Sequence, residues 1–145
     1  MYGDFMNKIE FFNYLPDDAK DIRIKVFVDE QGFENELDDI DNTAIHILIY
    51  LNGAAAGTAR MFTEDNGKSY HIGRVAVLPQ FRKNHLGAEI VTAICEKAKA
   101  LGAEKCELSA QCRVKDFYKS LGFEESGEEY FDEYCPHIHM EKTLQ

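Results

Sequence analysis

In the stretch RVAVLPQFRKNHLGAEIV, residues 74–91, three cations (Arg82, Lys83 and His85) fall where a short apolar, β-branched run gives way to helical spacing. A helix that begins there leaves its first N–H groups without partners, with the positive end of the helix dipole behind them. Such a terminus holds an anion through backbone donors, and adjacent cations add charge-assisted bonds that match a diphosphate. No Ser, Thr or Asp precedes Leu86 to cap those donors. By residue type alone two readings stand: a phosphate site, or solvated cations on an ordinary loop.

Other residues invite chemistry more weakly. Tyr118, in FYKSLGF (117–123), has an acidic hydroxyl, yet it also lies on an apolar stripe with Val114, Phe117 and Leu121 and reads equally as a core aromatic. Cys95, Cys106, Cys112 and Cys135 form no CxxC pair, so neither a zinc site nor a redox motif is indicated, and no metal is expected. They read as free thiols of a reducing compartment. Residues 29–41 hold seven carboxylates and no cation, and residues 124–133 hold six. These runs are either two solvated loops or a funnel that draws in an amine cation. Candidate proton acceptors are Glu30, Glu34, Glu36, Glu64 and His71, or a water relay, while His46, His137 and His139 fall on expected strands.

These residues need elements to position them. At 145 residues with 45% apolar content, the chain is expected to form one domain, 1–145, with a real core. A formal charge of −10 disfavours nucleic acid, and no run approaches 18 apolar residues or a signal-peptide layout, so a cytoplasmic protein without membrane contact is expected. Residues 9–14 predict a strand. Asp17 or Asp18 could cap a helix to about residue 30, although 22–28 also alternate as a strand would. Residues 44–51, Asn52-Gly53 and 54–62 predict a hairpin with a type I′ turn. Asp65-Asn66-Gly67 leads into a third strand at 70–77, making an antiparallel meander. A helix at 86–101 closed by Gly102, a strand at 105–111, a helix at 113–121 closed by Gly122 and a strand at 137–144 complete a mixed α and β order.

With the elements in place, the sequence resembles the GNAT superfamily of N-acetyltransferases. That family carries Arg/Gln-x-x-Gly-x-Gly/Ala between a strand and a long helix, and Arg82-Lys83-Asn84-His85-Leu86-Gly87 stands there, with Ala88 next. His85 occupies the position of the first motif glycine, and Asn84 and His85 tolerate unusual φ better than most residues. FYKSLGF resembles the family's Phe-Tyr-x-x-x-Gly-Phe, and Gln111-x-x-Val114 stands where Asn-x-x-Ala is common. VFVDEQGF, DDID, RVAV and PHIHMEK are similar to one small bacterial branch.

The resemblance implies an α+β, three-layer fold with a mixed, mostly antiparallel sheet flanked by helices. It implies acetyl-coenzyme A as cosubstrate and direct attack by a small-molecule primary amine, without an acyl-enzyme. Val75, Ala76 and Val77 would meet the pantetheine arm and the acetyl carbonyl. Arg82, Lys83, Asn84, His85, Leu86, Gly87, Ala88 and Gln111 would complete the cofactor site, and Tyr118 would protonate the departing thiolate. Phe33, Glu36 and His137 fall on the acceptor side. A homodimer is left open, and the alternative class is a non-catalytic acyl-coenzyme A sensor of the same fold, marked by loss of the thiolate's proton donor.

Overall fold

The computed structural model describes residues 7–34 and 36–145. Its sheet runs β1 (Asn7–Phe12), β2 (Ile45–Leu51), β3 (Ala54–Phe62), β4 (Ser69–Val77), β5 (Lys105–Gln111), β8 (Cys135–Thr143) and β6 (Glu124–Glu125), with the short β7 (Tyr130–Asp132) also on β8. Every pairing is antiparallel except β4 with β5. That parallel pair requires a crossover, which α2 (Leu86–Ala100) supplies.

The meander forms as its turns predict. Asn52 and Gly53 both take positive φ (53° and 86°), the geometry a tight two-residue hairpin turn demands. Alternation then sorts the side chains. Ile47, Ile49, Met61, Ile72 and Leu108 face α2 and meet Ile90, Val91, Ile94 and Ala98. Leu48, Ala76 and Leu78 form a second core with Ala19, Ile22, Val26 and Phe27 from the opposite layer. Gly57 permits close approach on the α2 side, because a Cβ there would lie 3.0 Å from Ile90 Cδ1 and 3.1 Å from the Ala76 carbonyl.

Several expectations are corrected in detail. The first strand is Asn7–Phe12 rather than 9–14, since its register runs out opposite His46 near the start of β2. Residues 17–30 are helical, so the strand-like alternation loses, but the helix is not uniform. α1 (Asp17–Arg23) widens into a π-helical segment over Ile24–Glu30. The wider turn lets consecutive Val26 and Phe27 both enter the core. Pro16 takes the N-cap position, and Asp17 and Asp18 lie in the first turn, where the dipole favours them. The second helix after β5 is shorter than expected: a 3₁₀ turn at Cys112–Val114 precedes α3 (Lys115–Ser120). β6 and β7 carry exposed residues without the alternation that marks a strand.

The acidic run 29–41 is neither a purely solvated loop nor a funnel. Three of its carboxylates meet three arginines drawn from other elements. Arg23 of α1, 1% exposed, donates from Nε to Glu36 Oε2 (2.7 Å) and from its terminal nitrogens to both Asp41 carboxylate oxygens (2.7 and 3.0 Å). Arg60 of β3 donates to Asp38 (2.6 and 3.1 Å) and Asp41 (2.9 Å), and Arg74 of β4 pairs with Glu36 Oε2 at 2.9 Å. Burial opposes ionisation of Asp41, but bonds from Arg23 and Arg60 more than offset it and hold that carboxyl well below its ordinary range. Bonds from Arg60 likewise lower Asp38. Burial pushes Glu36 the other way, against Arg74 and Arg23.

Breaking this cluster by removing one member leaves uncompensated buried charge. Arg23→Met is therefore expected to cost about 3–5 kcal/mol in urea unfolding. The stabilisation owed to Asp38 and Asp41 is present above the ordinary carboxylate value of 3.8 and lost as pH falls below it, so the wild type should weaken steeply there. An Arg23→Met protein with an unchanged urea midpoint would show that the pairs contribute nothing net.

Candidate active site

β4 and β5 stay paired only from Ser69 opposite Lys105 to Ile72 opposite Leu108. Beyond that point they part, and the cause lies in β4. Against β3, Gly73 pairs with Arg60 and Ala76 with Thr58, so Arg74 and Val75 together oppose Ala59 alone. This is a β-bulge, and Arg74 sits in it at φ 54°. Bulges bend the strand and increase its twist, and here the bend carries the rest of β4 away from β5. The strained residue is held by its own side chain, whose Nε and a terminal nitrogen both donate to the Glu36 carbonyl at 3.1 Å.

The parted strands flank a cavity of about 860 Å³. Val75, Ala76 and Val77 line its β4 wall. Leu78 N–H donates to the Ala56 carbonyl at 2.9 Å, so the antiparallel alternation turns the Val77 main chain away from β3 and toward the cavity. The Val77 carbonyl accepts from Arg82 Nε at 2.9 Å. The terminal nitrogens of Arg82 pair with both oxygens of Glu30 (2.7 and 2.6 Å), a forked, half-exposed ion pair.

At one end of the cavity, a 3₁₀ turn (Pro79–Asn84) runs into α2 through His85, which takes the left-handed conformation (φ 58°, ψ 25°). The position that resembles a motif glycine thus needs a glycine-like backbone, and a histidine supplies it. No side chain caps α2, and His85, Gly87 and Ala88 line the cavity. The uncapped terminus anticipated from the sequence is therefore present and faces open space.

Tyr118 of α3 also lines the cavity and is 8% exposed. Its ring packs edge-on between Phe117 and Phe123, while its hydroxyl bonds to no described residue. Burial pushes its pKa up to about 12, so it remains a neutral phenol throughout any working pH.

The opposite side is aromatic and acidic. Phe33 stacks on Tyr134 (5.4 Å) and meets His137 edge-on (6.5 Å), and Tyr130 stacks on the other side of His137 (6.1 Å). Glu36, Asp132 and Glu133 line this part. Gln111 reaches in from the end of β5, bonded to Gln31 at 2.8 Å.

The structure therefore gathers Phe33, Glu36, Val75, Ala76, Val77, Arg82, His85, Gly87, Ala88, Gln111, Tyr118 and His137 around one space. It does not bring Lys83, Asn84 or Leu86 to the cavity lining. Lys83 points to solvent, Asn84 bonds the Phe81 carbonyl, and Leu86 is a core residue. Glu36, expected to meet the acceptor, lines the cavity but carries two arginines. Sequence reasoning missed Arg60, Phe62, Arg74 and Ser109, which line the same space. Nothing in their local spacing sets them apart. The DEQ triplet, by contrast, does show a signal, since Glu30 and Gln31 reach the site as partners of Arg82 and Gln111.

Comparison with known proteins bears on the family and the fold. The family model described as acetyltransferase (GNAT) domain matches residues 15–144. The uncharacterised N-acetyltransferase YjcF of Bacillus subtilis is 34% identical over 129 residues, covering 86% of this chain and 90% of its own. The crystal structure of Escherichia coli ElaA superposes with a TM-score of 0.83 at 27% identity, over 94% of this chain and 99% of that one. A GNAT acetyltransferase from Elizabethkingia anophelis, solved with acetyl-coenzyme A bound, shares the fold with a TM-score of 0.76 at 14% identity, over 95% and 98% of the two chains.

The left-handed backbone at residue 85 gives a direct test. His85→Gly and His85→Asn should leave the thermal midpoint nearly unchanged. His85→Val forces a β-branched residue into that conformation and should cost about 1–2 kcal/mol. Equal melting of all three would mean that residue 85 leaves the left-handed region in solution.

Proposed function

Because the chain belongs to the acetyltransferase (GNAT) family, we propose that it transfers an acetyl group from acetyl-coenzyme A to a primary amine of a small molecule by direct attack. The observation that carries this reading is the cavity itself, which joins an uncapped helix terminus, an unpaired strand edge and an unengaged tyrosine hydroxyl. The diphosphate would rest on the amides of Gly87 and Ala88, with the positive end of α2 behind them. Pantetheine would lie along Val75–Val77 as an added strand between the parted β4 and β5. A main-chain amide in the same segment would polarise the acetyl carbonyl.

Tyr118 then serves the departing sulfur. A phenol with a pKa of about 12 is a weak acid in isolation, but the burial that raises it would raise a thiolate beside it as well. The two stay matched for proton transfer because they share one environment. The exposed carboxylates of Asp132 and Glu133 favour a cationic acceptor over an anionic one.

Arg82 is tied to Glu30, so its service to the diphosphate requires that pair to open. Half-exposed pairs are worth only about 0–1 kcal/mol, which makes the exchange feasible. Arg82→Ala should weaken acetyl-coenzyme A binding by about 1.5–3 kcal/mol in calorimetry with little change in melting temperature, and Glu30→Gln, which frees the guanidinium, should tighten it. Unchanged affinity in Arg82→Ala would remove Arg82 from the cofactor site.

The central test is thiol release from acetyl-coenzyme A with a panel of small amines. Tyr118→Phe keeps the ring and should lower kcat by about 10²–10⁴ with cofactor affinity nearly unchanged. Binding of acetyl-coenzyme A without release to any amine would favour the sensor alternative. A Tyr118→Phe protein that melts lower yet keeps full activity per folded molecule would make the tyrosine a packing residue.

A further inference from the structure

Resting on the transfer reaction proposed above, we infer that His137 Nε2 is the proton acceptor for the attacking amine. His137 Nδ1 lies 2.9 Å from the main-chain carbonyl of Cys135. A carbonyl only accepts, so Nδ1 carries the proton and donates it, and in the neutral ring Nε2 holds the lone pair. No described residue bonds Nε2, and the ring lines the cavity. The imidazole is otherwise buried and clamped, edge-on to Phe33 and stacked on Tyr130, whose hydroxyl is hydrogen-bonded to Ser109. Its tautomer and its orientation are both set before any substrate arrives.

Most other candidates along the cavity are engaged elsewhere, and Asp132 is exposed to solvent. Glu30 holds Arg82, and Glu36 holds Arg23 and Arg74. Glu133 accepts from the Glu34 main chain. His71 Nε2 faces Glu64 at 3.4 Å and Glu107 at 3.8 Å, and His85 stands at the far, α2 end. Position in the sheet also favours His137. It pairs in register with Gln111, on the β5 wall, and both line the cavity. The charged groups lining the cavity are Asp132 and Glu133 from the β7–β8 hairpin, Glu36 with its partner Arg74, Glu30 with its partner Arg82, Arg60 of β3, and Arg113 from the turn after β5.

The step balances as follows. The free amine attacks the thioester carbon and the N–C bond forms. The surplus proton on nitrogen passes to His137 Nε2. The C–S bond breaks with its electron pair on sulfur, and the sulfur takes the proton of Tyr118. Water returns the proton held by His137 to the tyrosine oxygen, leaving an amide and a free thiol.

The test uses the full chain with whichever amine the panel shows to be an acceptor. His137→Ala should lower kcat/KM by about 10²–10⁴-fold, the range for one acid–base group, with acetyl-coenzyme A affinity unchanged. The wild type should show an acid limb in its kcat/KM profile, and in the variant that limb should move to the amine's own ionisation. Added imidazole should restore part of the rate. His137→Asn keeps an N–H for the Cys135 carbonyl but lacks a base, so it should fold as the wild type does and be equally impaired; it decides the matter if the alanine protein is unstable. Either variant keeping the wild-type rate and acid limb overturns the assignment, as does a loss confined to KM or one that imidazole does not restore. A wild-type protein that acetylates no amine sinks the transfer reading itself, and the inference with it.

Discussion

The pairing of Arg74 with Glu36 ties the bulge in β4 to the 36–42 segment beside the cavity. The bulge directs β4 away from β5, and without that separation there is no space between the strands for a third chain to lie in. A left-handed arginine in mid-strand is costly in isolation. Here it is offset because its guanidinium reaches the carbonyl and the carboxylate of buried Glu36, which it shares with Arg23. Arg23 and Arg60 extend the same arrangement to Asp38 and Asp41, so one cluster fastens α1, the 36–42 segment, β3 and β4 together. Its worth to the protein is positional more than energetic, since buried ion pairs rarely outperform apolar packing in stability.

The two ends of the cavity follow different physical designs. The α2 end works through main-chain groups: open amides, a helix dipole and a residue in the left-handed region that turns the chain sharply into the helix. Main-chain recognition tolerates sequence change provided the backbone path survives, which is how His85 can stand where a glycine is the simpler solution. The opposite end works through side chains, with three stacked or edge-on aromatic rings and exposed carboxylates. In the proposed reaction that end would meet the acceptor, and it is assembled from a loop after a π-helical segment and a short hairpin, both irregular enough to vary without disturbing the sheet.

Burial and exposure divide the ionisable groups into structural and reactive sets. The arginines and carboxylates of the cluster are mutually satisfied, apart from Arg60 Nε, a buried donor that no described residue bonds. Tyr118 and His137 are buried too, but each has one polar atom with no described partner, and both residues line the cavity. Unlike Arg60 Nε, these two atoms are not sealed in the interior; they open on one cavity, where a bound molecule can reach them.

Much of the framework was legible in the residues alone, because turns, helix ends and amphipathic faces are decided within a few positions. Asn52-Gly53 bends where only positive φ serves, Gly102 closes α2, and residues 105–111 alternate along the whole of β5. The uncapped start of α2 was likewise visible, as an absence of capping side chains before Leu86. What tertiary structure alone decided were the partnerships. Arg23 meets Glu36 thirteen positions on, and Arg74 reaches back thirty-six to Asp38, so an acidic run that looked solvated became internal. Lys83 and Asn84, adjacent to the right residues, turned away from the cavity. The tautomer of His137 depended on a carbonyl that a β8 turn happens to present. Local sequence encodes the preferred path of the backbone; which charges meet, and which polar atoms are left facing a cavity, is fixed only when distant segments pack.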